Sequence, residues 1–426
     1  MTKPAGPIRL SADWVIPIDR SPMFDAAILI DAEGRIAELG PAGNVPSPPG
    51  GQTAHFAGAA LLPGLVNAHT HLELTGLAGK VDDADFTRWI RGVRELKADL
   101  TADWFATAAR QGVRDCFAAG ITYVLDTGDS GAVFGALIEL GGAGTVYQEV
   151  FGPHPDQVAT SLAELTEKAA TARSKAPRRV NVGISPHAPY TVSAPLYRAV
   201  ARLAQVGRYP IAVHLAESPA ETAFVVHGQG PFADAWQARG IPPLADQRPN
   251  DPAARRSPVA WLDAQGILTP QTLVIHAVQV DAQDVAILAE RNVGVAICPL
   301  SNRRHGHGDP PLKAMRQAGI KVGVGTDSVL SVGKLDLFAE MRAARTMAGL
   351  SARRALALGT AEAARLASPA ADFGSLTKGL WGDVVAVALP GTPDQDPEER
   401  VLMAGPDQIL ATYASGRLVY RQGHPT

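Results

Sequence analysis

The residues best suited to chemistry lie at the ends of apolar runs. Pro63-Gly64-Leu65-Val66-Asn67-Ala68 leads into His69-Thr70-His71. In a strand, alternate side chains share a face, so His69 and His71 point the same way and two imidazoles can grip one metal ion. A lone His-x-His is a weak signal, but it recurs in spirit along the chain. Val213-His214-Leu215-Ala216-Glu217, Ile275-His276 and Gly325-Thr326-Asp327-Ser328 each place a ligand-capable residue just after a hydrophobic stretch, and Ser185-Pro186-His187-Ala188-Pro189-Tyr190 does the same. Singly, each histidine reads equally as a hydrogen-bonded structural residue, and Asp327 as a helix cap. Jointly, they point to one metal site.

That convergence requires a scaffold that gathers strand ends. Strand-like runs fall at Leu62–His69, Ile121–Asp126, Gly144–Val150, Val180–Ser185, Ile211–Leu215, Thr272–Ala277, Gly294–Cys298 and Lys321–Gly325. Amphipathic stretches such as Asp103–Ala119, Pro155–Ala172, Ala194–Val206, Asp281–Glu290 and Pro311–Gly319 lie between or after them. Eight strands alternating with helices predict an α/β fold, a (β/α)8 TIM barrel whose active site lies at the C-terminal strand ends. Both chain ends read instead as short strands: Ala12–Ile18, Ala26–Ile30 and Arg35–Leu39 first, then Gly382–Leu389 and Gln408–Arg421 with a turn at Ser415-Gly416. We therefore expect a composite β-sandwich domain from residues 1–60 and 378–426 beside a barrel of residues 61–377. Gly228–Pro258, rich in Pro, Gly, Arg and Asp, reads either as a solvated insertion or as a lid over the barrel mouth. Residues 391–400 read as an exposed loop.

Bulk properties narrow the function classes. A chain of 426 residues fits one barrel plus a smaller module, and 46% hydrophobic residues supply a large core. The net charge of -3 gives no reason to expect nucleic acid or an anionic membrane as partner. With no apolar run of transmembrane length and no secretory leader pattern, a cytoplasmic protein acting on a small molecule is expected. Cys116 and Cys298 read as buried free thiols.

With these motifs in order, the sequence resembles the amidohydrolase superfamily, in the branch of cytosine, guanine and methylthioadenosine/adenosylhomocysteine deaminases and of chlorohydrolases. The resemblance spans nearly the whole chain, including Gly374-Ser375-Leu376 to Asp383. It implies His69, His71, His214 and Asp327 as metal ligands, Glu217 as the proton-shuttling carboxylate and His276 as the histidine that polarises the attacking water, with Asp327 also able to take a proton. The fourth strand end offers Ser185, Pro186 and His187 rather than the lysine that bridges two metals in binuclear members, so a single divalent metal is expected. Three neutral imidazoles and one carboxylate suit Zn²⁺, and Fe²⁺ tolerates the same set. Relatives are commonly dimeric, which leaves a homodimer open.

The resemblance also bears on substrate. His187 matches the histidine that contacts a purine-like ring; its alternative is loop packing between Pro186 and Pro189. The stretch His71-Leu72-Glu73-Leu74, followed by Phe86–Trp89, is similar to that of aminodeoxyfutalosine deaminases. Glu73 could bind ribose hydroxyls or pair with an arginine. Cys298-Pro299-Leu300-Ser301-Asn302 resembles a turn in which Asn302 braces the rim. Arg303, Arg304, His305 and His307 read as contacts for a substrate carboxylate or as a solvated basic loop. The leading expectation is hydrolytic deamination of an aminated heterocycle or nucleoside. Dechlorination of an s-triazine-like ring by the same site and a non-catalytic metal-binding scaffold are the alternatives.

Overall fold

A computed structural model describes residues 6–247, 253 and 256–423. The first strands are β1 (Ile8–Val15), β2 (Met23–Ile30), β3 (Ile36–Pro41) and β4 (Gln52–Pro63). Eight strands then alternate with helices: β5 (Leu65–Thr70), β6 (Ile121–Gly128), β7 (Ala143–Val150), β8 (Val180–Pro186), β9 (Ile211–Leu215), β10 (Thr272–His276), β11 (Gly294–Ile297) and β12 (Lys321–Val324). They pair in parallel in sequence order, β5 to β12. Parallel strands covered by helices bury both faces, which explains why β6, β7 and β9 are buried along their whole length and read as continuous apolar runs. Each fully buried Val, Leu or Ile in such a strand contributes roughly 1.5–3 kcal/mol.

The nearly closed barrel is stitched where β12 meets β5. Asp327 N donates to the His69 carbonyl at 3.0 Å, and Thr70 and Asp327 form a parallel bridge. The buried Asn67 side chain crosses the same seam, accepting from Thr326 N at 3.0 Å and donating to Thr326 Oγ1 at 2.8 Å. Gly325 is required there, because a Cβ would stand 2.5 Å from His69 N. Closing the barrel and bringing Asp327 to His69 are therefore one event.

The two chain ends join as expected, in a single seven-stranded sheet ordered β15-β14-β13-β4-β1-β2-β3, with β13 (Val384–Ala388), β14 (Ile409–Ala414) and β15 (Arg417–Arg421). What was expected as a sandwich is one continuous hydrogen-bonded sheet. Leu10 and Ile28 share a core with Val384, Ala386 and Tyr413. The turn between β14 and β15 has Ser415 at φ 52° and Gly416 at φ 73°, the left-handed pair that a tight hairpin needs. The long strand β4 was not expected, since its outer half is largely exposed and polar while only Ala59–Pro63 is buried.

Two loop expectations are corrected. Within residues 391–400, Pro397 opens a short helix, Pro397–Leu402, capped by the Asp396 carboxylate, which accepts from Glu398 N at 2.8 Å. Proline at the first helical turn and an aspartate cap are helix-start signals that the surrounding polar residues obscured. The segment after β9 is not simply solvated: Pro231–Ala238 is helical, with Phe232 stacked on Tyr190 at 4.0 Å and Trp236 Nε1 donating to the Tyr190 carbonyl at 2.9 Å. Residues 248–252 and 254–255 of the Gly228–Pro258 stretch lie outside the described residues. Cys116 and Cys298 are buried and free, and among the described residues no helix is long and apolar enough to cross a membrane.

Candidate metal centre and active site

All the strand-end residues singled out above face one another at the C-terminal rim. Asp327 Oδ1 lies 3.3 Å from His69 Nε2 and 3.5 Å from His71 Nε2, and His214 Nε2 lies 3.3 Å from His71 Nε2. His69 is fully buried, yet neither of its ring nitrogens meets a hydrogen-bond partner of good geometry. Such an orphaned imidazole costs free energy unless something else takes its lone pair. His214 Nδ1 faces the His187 carbonyl at 3.2 Å; a carbonyl can only accept, so the proton is on Nδ1 and the Nε2 lone pair points to the centre. Burial, reinforced by the neighbouring His69, pushes His71 down to about 3, and burial likewise holds His214 well below its usual range. Neutral imidazole nitrogens gathered around a carboxylate are what a divalent cation needs, and the donor chemistry fits one.

The carboxylate is aimed as well as placed. Ser301 Oγ donates to Asp327 Oδ2 at 2.6 Å and Ser331 Oγ to the same oxygen at 3.3 Å, leaving Oδ1 to the imidazoles. Burial works to raise the Asp327 carboxyl, but contact with His69 and the other imidazoles outweighs it and holds the group well below the usual carboxylate range. Backbone strain concentrates here: Ala216, His276, Ala277 and Asp327 all adopt positive φ, between 48° and 74°. Non-glycine residues in that region persist where surroundings over-determine them, typically at functional sites.

Glu217 sits across from this cluster, buried, with Oε1 at 3.6 Å from both His276 Nε2 and His307 Nε2. Burial, with the Asp327 and Glu221 charges added, pushes its carboxyl well above the usual range. Two carboxyls of one site are thus driven in opposite directions, Glu217 towards the neutral form that donates a proton and Asp327 towards the ionised form that accepts one. His276 Nδ1 pairs with Asn302 Oδ1 at 2.9 Å, so the Asn302 of the Cys-Pro-Leu-Ser-Asn turn braces the rim by fixing this ring. Burial lowers His276 to about 4.

The structure reassigns two groups. Glu73 is buried and meshed with protein: Lys97 Nζ lies 3.1 Å from Oε1, Ser130 N donates to Oε2 at 3.1 Å, and Ser130 Oγ also donates to Oε2. Glu73 thus pairs with Lys97, a lysine where the ion-pair alternative named an arginine. In the loop after β11, Arg303 pairs with Asp309 and Arg304 with Asp82 at the surface, but His305 and His307 turn inward against Phe86 and Trp89. His187 is half-buried at the rim, its Nδ1 2.9 Å from Thr191 Oγ1 and its ring 4.8 Å from that of His214.

Sequence reasoning missed several supporting carboxyls. Glu221 accepts from Ala216 N at 2.8 Å and Glu217 N at 2.9 Å, fixing the turn that presents Glu217. Burial raises it to about 7. The pattern Ser218-x-x-Glu221, a helix-start signature, could have revealed it. Asp126 Oδ2 accepts from Leu72 N at 2.8 Å just beyond His71, and Glu340 accepts from Leu300 N at 3.0 Å beside Ser301. Glu149 is buried at the end of β7, within 4.8 Å of ligand atoms of His187 and His214. Asp126 and Glu149 stand at or beside the ends of predicted strand runs, the placement that marked Asp327, whereas nothing in the sequence sets Glu340 apart from a solvated acid.

Fold and site together define a (β/α)8-barrel hydrolase with a cation-binding cluster at its C-terminal rim. The chain matches the amidohydrolase family over residues 60–419 and belongs to it, and so to the hydrolases of carbon–nitrogen bonds other than peptide bonds. It is 29% identical to a 5-methylthioadenosine/S-adenosylhomocysteine deaminase of Symbiobacterium thermophilum, over 95% of this chain and 92% of that one. Among solved structures it is similar to an adenosine deaminase of Xanthomonas campestris with bound zinc (TM-score 0.82, 25% identity, 98% of this chain and 93% of that one). It also shares the fold of the Helicobacter pylori aminofutalosine deaminase (TM-score 0.78, 20% identity, 97% of this chain and 100% of that one).

Proposed function

We propose that this chain hydrolytically deaminates an adenine-type nucleoside, using one divalent metal, Zn²⁺ ahead of Fe²⁺, held by His69, His71, His214 and Asp327. The observation that carries the reading is the pairing of opposed carboxyls, Asp327 among imidazoles and Glu217 in a desolvated pocket, across one rim. When bound, such a metal would lower the pKa of water towards ~7 and polarise the reacting centre. Glu217, whose burial favours the neutral carboxyl, delivers its proton to the ring nitrogen beside the amino-bearing carbon, and the amino group leaves as ammonia on receiving the proton that Asp327 takes from the attacking water. Asp327, ionised, accepts a proton from the attacking water. His276, oriented by Asn302, aligns that water by accepting from it at Nε2. His187 is the proposed contact to the substrate's ring. The names of the similar deaminases support an adenosine-like substrate, and aminodeoxyfutalosine belongs to the set to be tried.

We further assign the chain to the cytoplasm, and read residues 1–60 with 378–426 as a structural unit carrying the 61–377 barrel. The test is an ammonia-release screen over aminated purines, pyrimidines and nucleosides, aminodeoxyfutalosine included. The expected outcome is ammonia and a hypoxanthine-type product spectrum from adenine-type nucleosides. Both should fall by about 10²- to 10⁴-fold in Glu217→Gln. Chloride release from halo-triazines with no ammonia from any substrate would instead favour the dehalogenase, and a catalytically inert protein that still holds its metal the scaffold.

A further inference from the structure

His307 has no role in the chemistry derived above, yet it is built into the site from every side. Its backbone N donates to the Asn302 carbonyl at 2.9 Å, and its carbonyl accepts from Gln279 Nε2 at 2.7 Å. Gln279 N in turn donates to the Ala216 carbonyl at 2.7 Å, directly before Glu217. One residue is thus bolted to the turn that orients His276 and to the strand end that presents Glu217. Gly306 and Gly308, both at positive φ, bend the loop so that the side chain points inward. There Phe86 packs edge to face at 4.6 Å and His305 stacks at 5.6 Å. The Nε2 atom is buried, without a hydrogen-bond partner, and 3.6 Å from Glu217 Oε1.

The same oxygen lies 3.6 Å from His276 Nε2. Because His276 Nδ1 faces an amide oxygen, its proton resides there and Nε2 is an acceptor. An ionised Glu217 therefore confronts a lone pair on that side and needs a donor on the other. A protonated Glu217 can donate to His276 instead. We propose that His307 is the positioning residue of Glu217, its Nε2–H holding the carboxylate each time the shuttle has given up its proton. The two imidazoles define the two protonation states: His276 receives the acid form and His307 the ionised form. Closing 3.6 Å to a hydrogen bond requires a movement of only ~0.5 Å, and such contacts commonly tighten when substrate binds. This inference rests on the proposed shuttle role of Glu217.

The test compares His307→Phe, which keeps the aromatic packing, with His307→Gln, which restores an N–H donor. For His307→Phe the expected result is a kcat reduced about 10- to 100-fold, with KM, bound metal and melting temperature close to native. His307→Gln should recover most of that loss. A second readout needs no turnover: in the metal-free protein, the His307 Nε2 resonance in ¹⁵N-histidine spectra, assigned by its absence in His307→Phe, should move on Glu217→Gln. An unchanged kcat, a defect confined to KM, a Gln variant no better than Phe, or a resonance indifferent to Glu217 would overturn the proposal. If the native enzyme released no ammonia from any substrate, the deaminase reading would fail while the spectroscopic arm still decided this one.

Discussion

The two ends of the barrel solve their polar problems differently. At the N-terminal end, Arg179, just before β8, donates through Nη1 to Asp383 Oδ1 at 2.8 Å and to Ser415 Oγ at 2.5 Å, and its second nitrogen pairs with Asp383 Oδ2. Ser415 N completes the set by donating to Asp383 Oδ1 at 2.8 Å, and Trp381 covers the guanidinium at 4.8 Å. Both charges of this pair have protein partners, and the network ties the barrel to the terminal sheet. At the C-terminal end, His69, Glu149 and His307 carry buried atoms without partners, and four non-glycine residues hold positive φ. A satisfied network stabilises, whereas orphaned donors and acceptors on strained backbone mark the end that is completed by something other than protein.

The contrast can be broken from either side. The largest expected effect is at the structural end: Arg179→Ala strands the buried Asp383 carboxylate and should cost about 3–5 kcal/mol of stability, read by urea denaturation, with kcat of the surviving folded enzyme unchanged. A loss of kcat at native stability would erase the distinction between the two ends. At the functional end, Ser301→Ala leaves Asp327 Oδ2 with only the longer bond from Ser331 Oγ and should weaken metal binding about 10- to 100-fold with little change in melting temperature of the metal-free protein, measured by competition with a chelator. Unaltered affinity would mean that Ser301 does not orient the ligand.

The smallest effect sharpens the comparison through pH. Burial depresses His71 to about 3 in the folded chain, whereas an unfolded imidazole titrates near 6.5. Between those values the unfolded state binds a proton that the folded state does not. The stability is therefore complete above pH ~6.5 and lost as pH falls, by about 1.4 kcal/mol per pH unit. Glu217 and Glu221, both raised, contribute with the opposite sign, so the effect is read as the stability difference between native chain and His71→Asn, metal-free. A difference that stays flat from pH 7 to 5 would show that His71 is not desolvated.

How much of this was legible in the sequence follows from what each residue needs locally. Ile211–Leu215 is a strand on apolar content alone, and His214 stands out because an imidazole inside such a run demands a reason. Asp327 was legible as a strand-end acid, but Asn67, which crosses the seam to the adjacent Thr326, was not, since that contact depends on closing the barrel. His305 and His307 read as a solvated loop because Arg303 and Arg304 beside them are solvated; the two glycines that turn the chain inward carry that information only in three dimensions. For Glu73 the sequence offered ribose binding or an ion pair with an arginine, and it could not show Lys97 as a partner because that residue lies a helix away.

The central claim is that His69, His71, His214 and Asp327 jointly hold one cation. Elemental analysis of the purified native protein and of Asp327→Ala, with X-ray absorption at the metal edge, tests it most directly. The account predicts about one equivalent of metal with nitrogen and oxygen neighbours at ~2.0–2.2 Å, lost in the variant. A full equivalent retained without Asp327, or sulfur in the coordination shell, would contradict it.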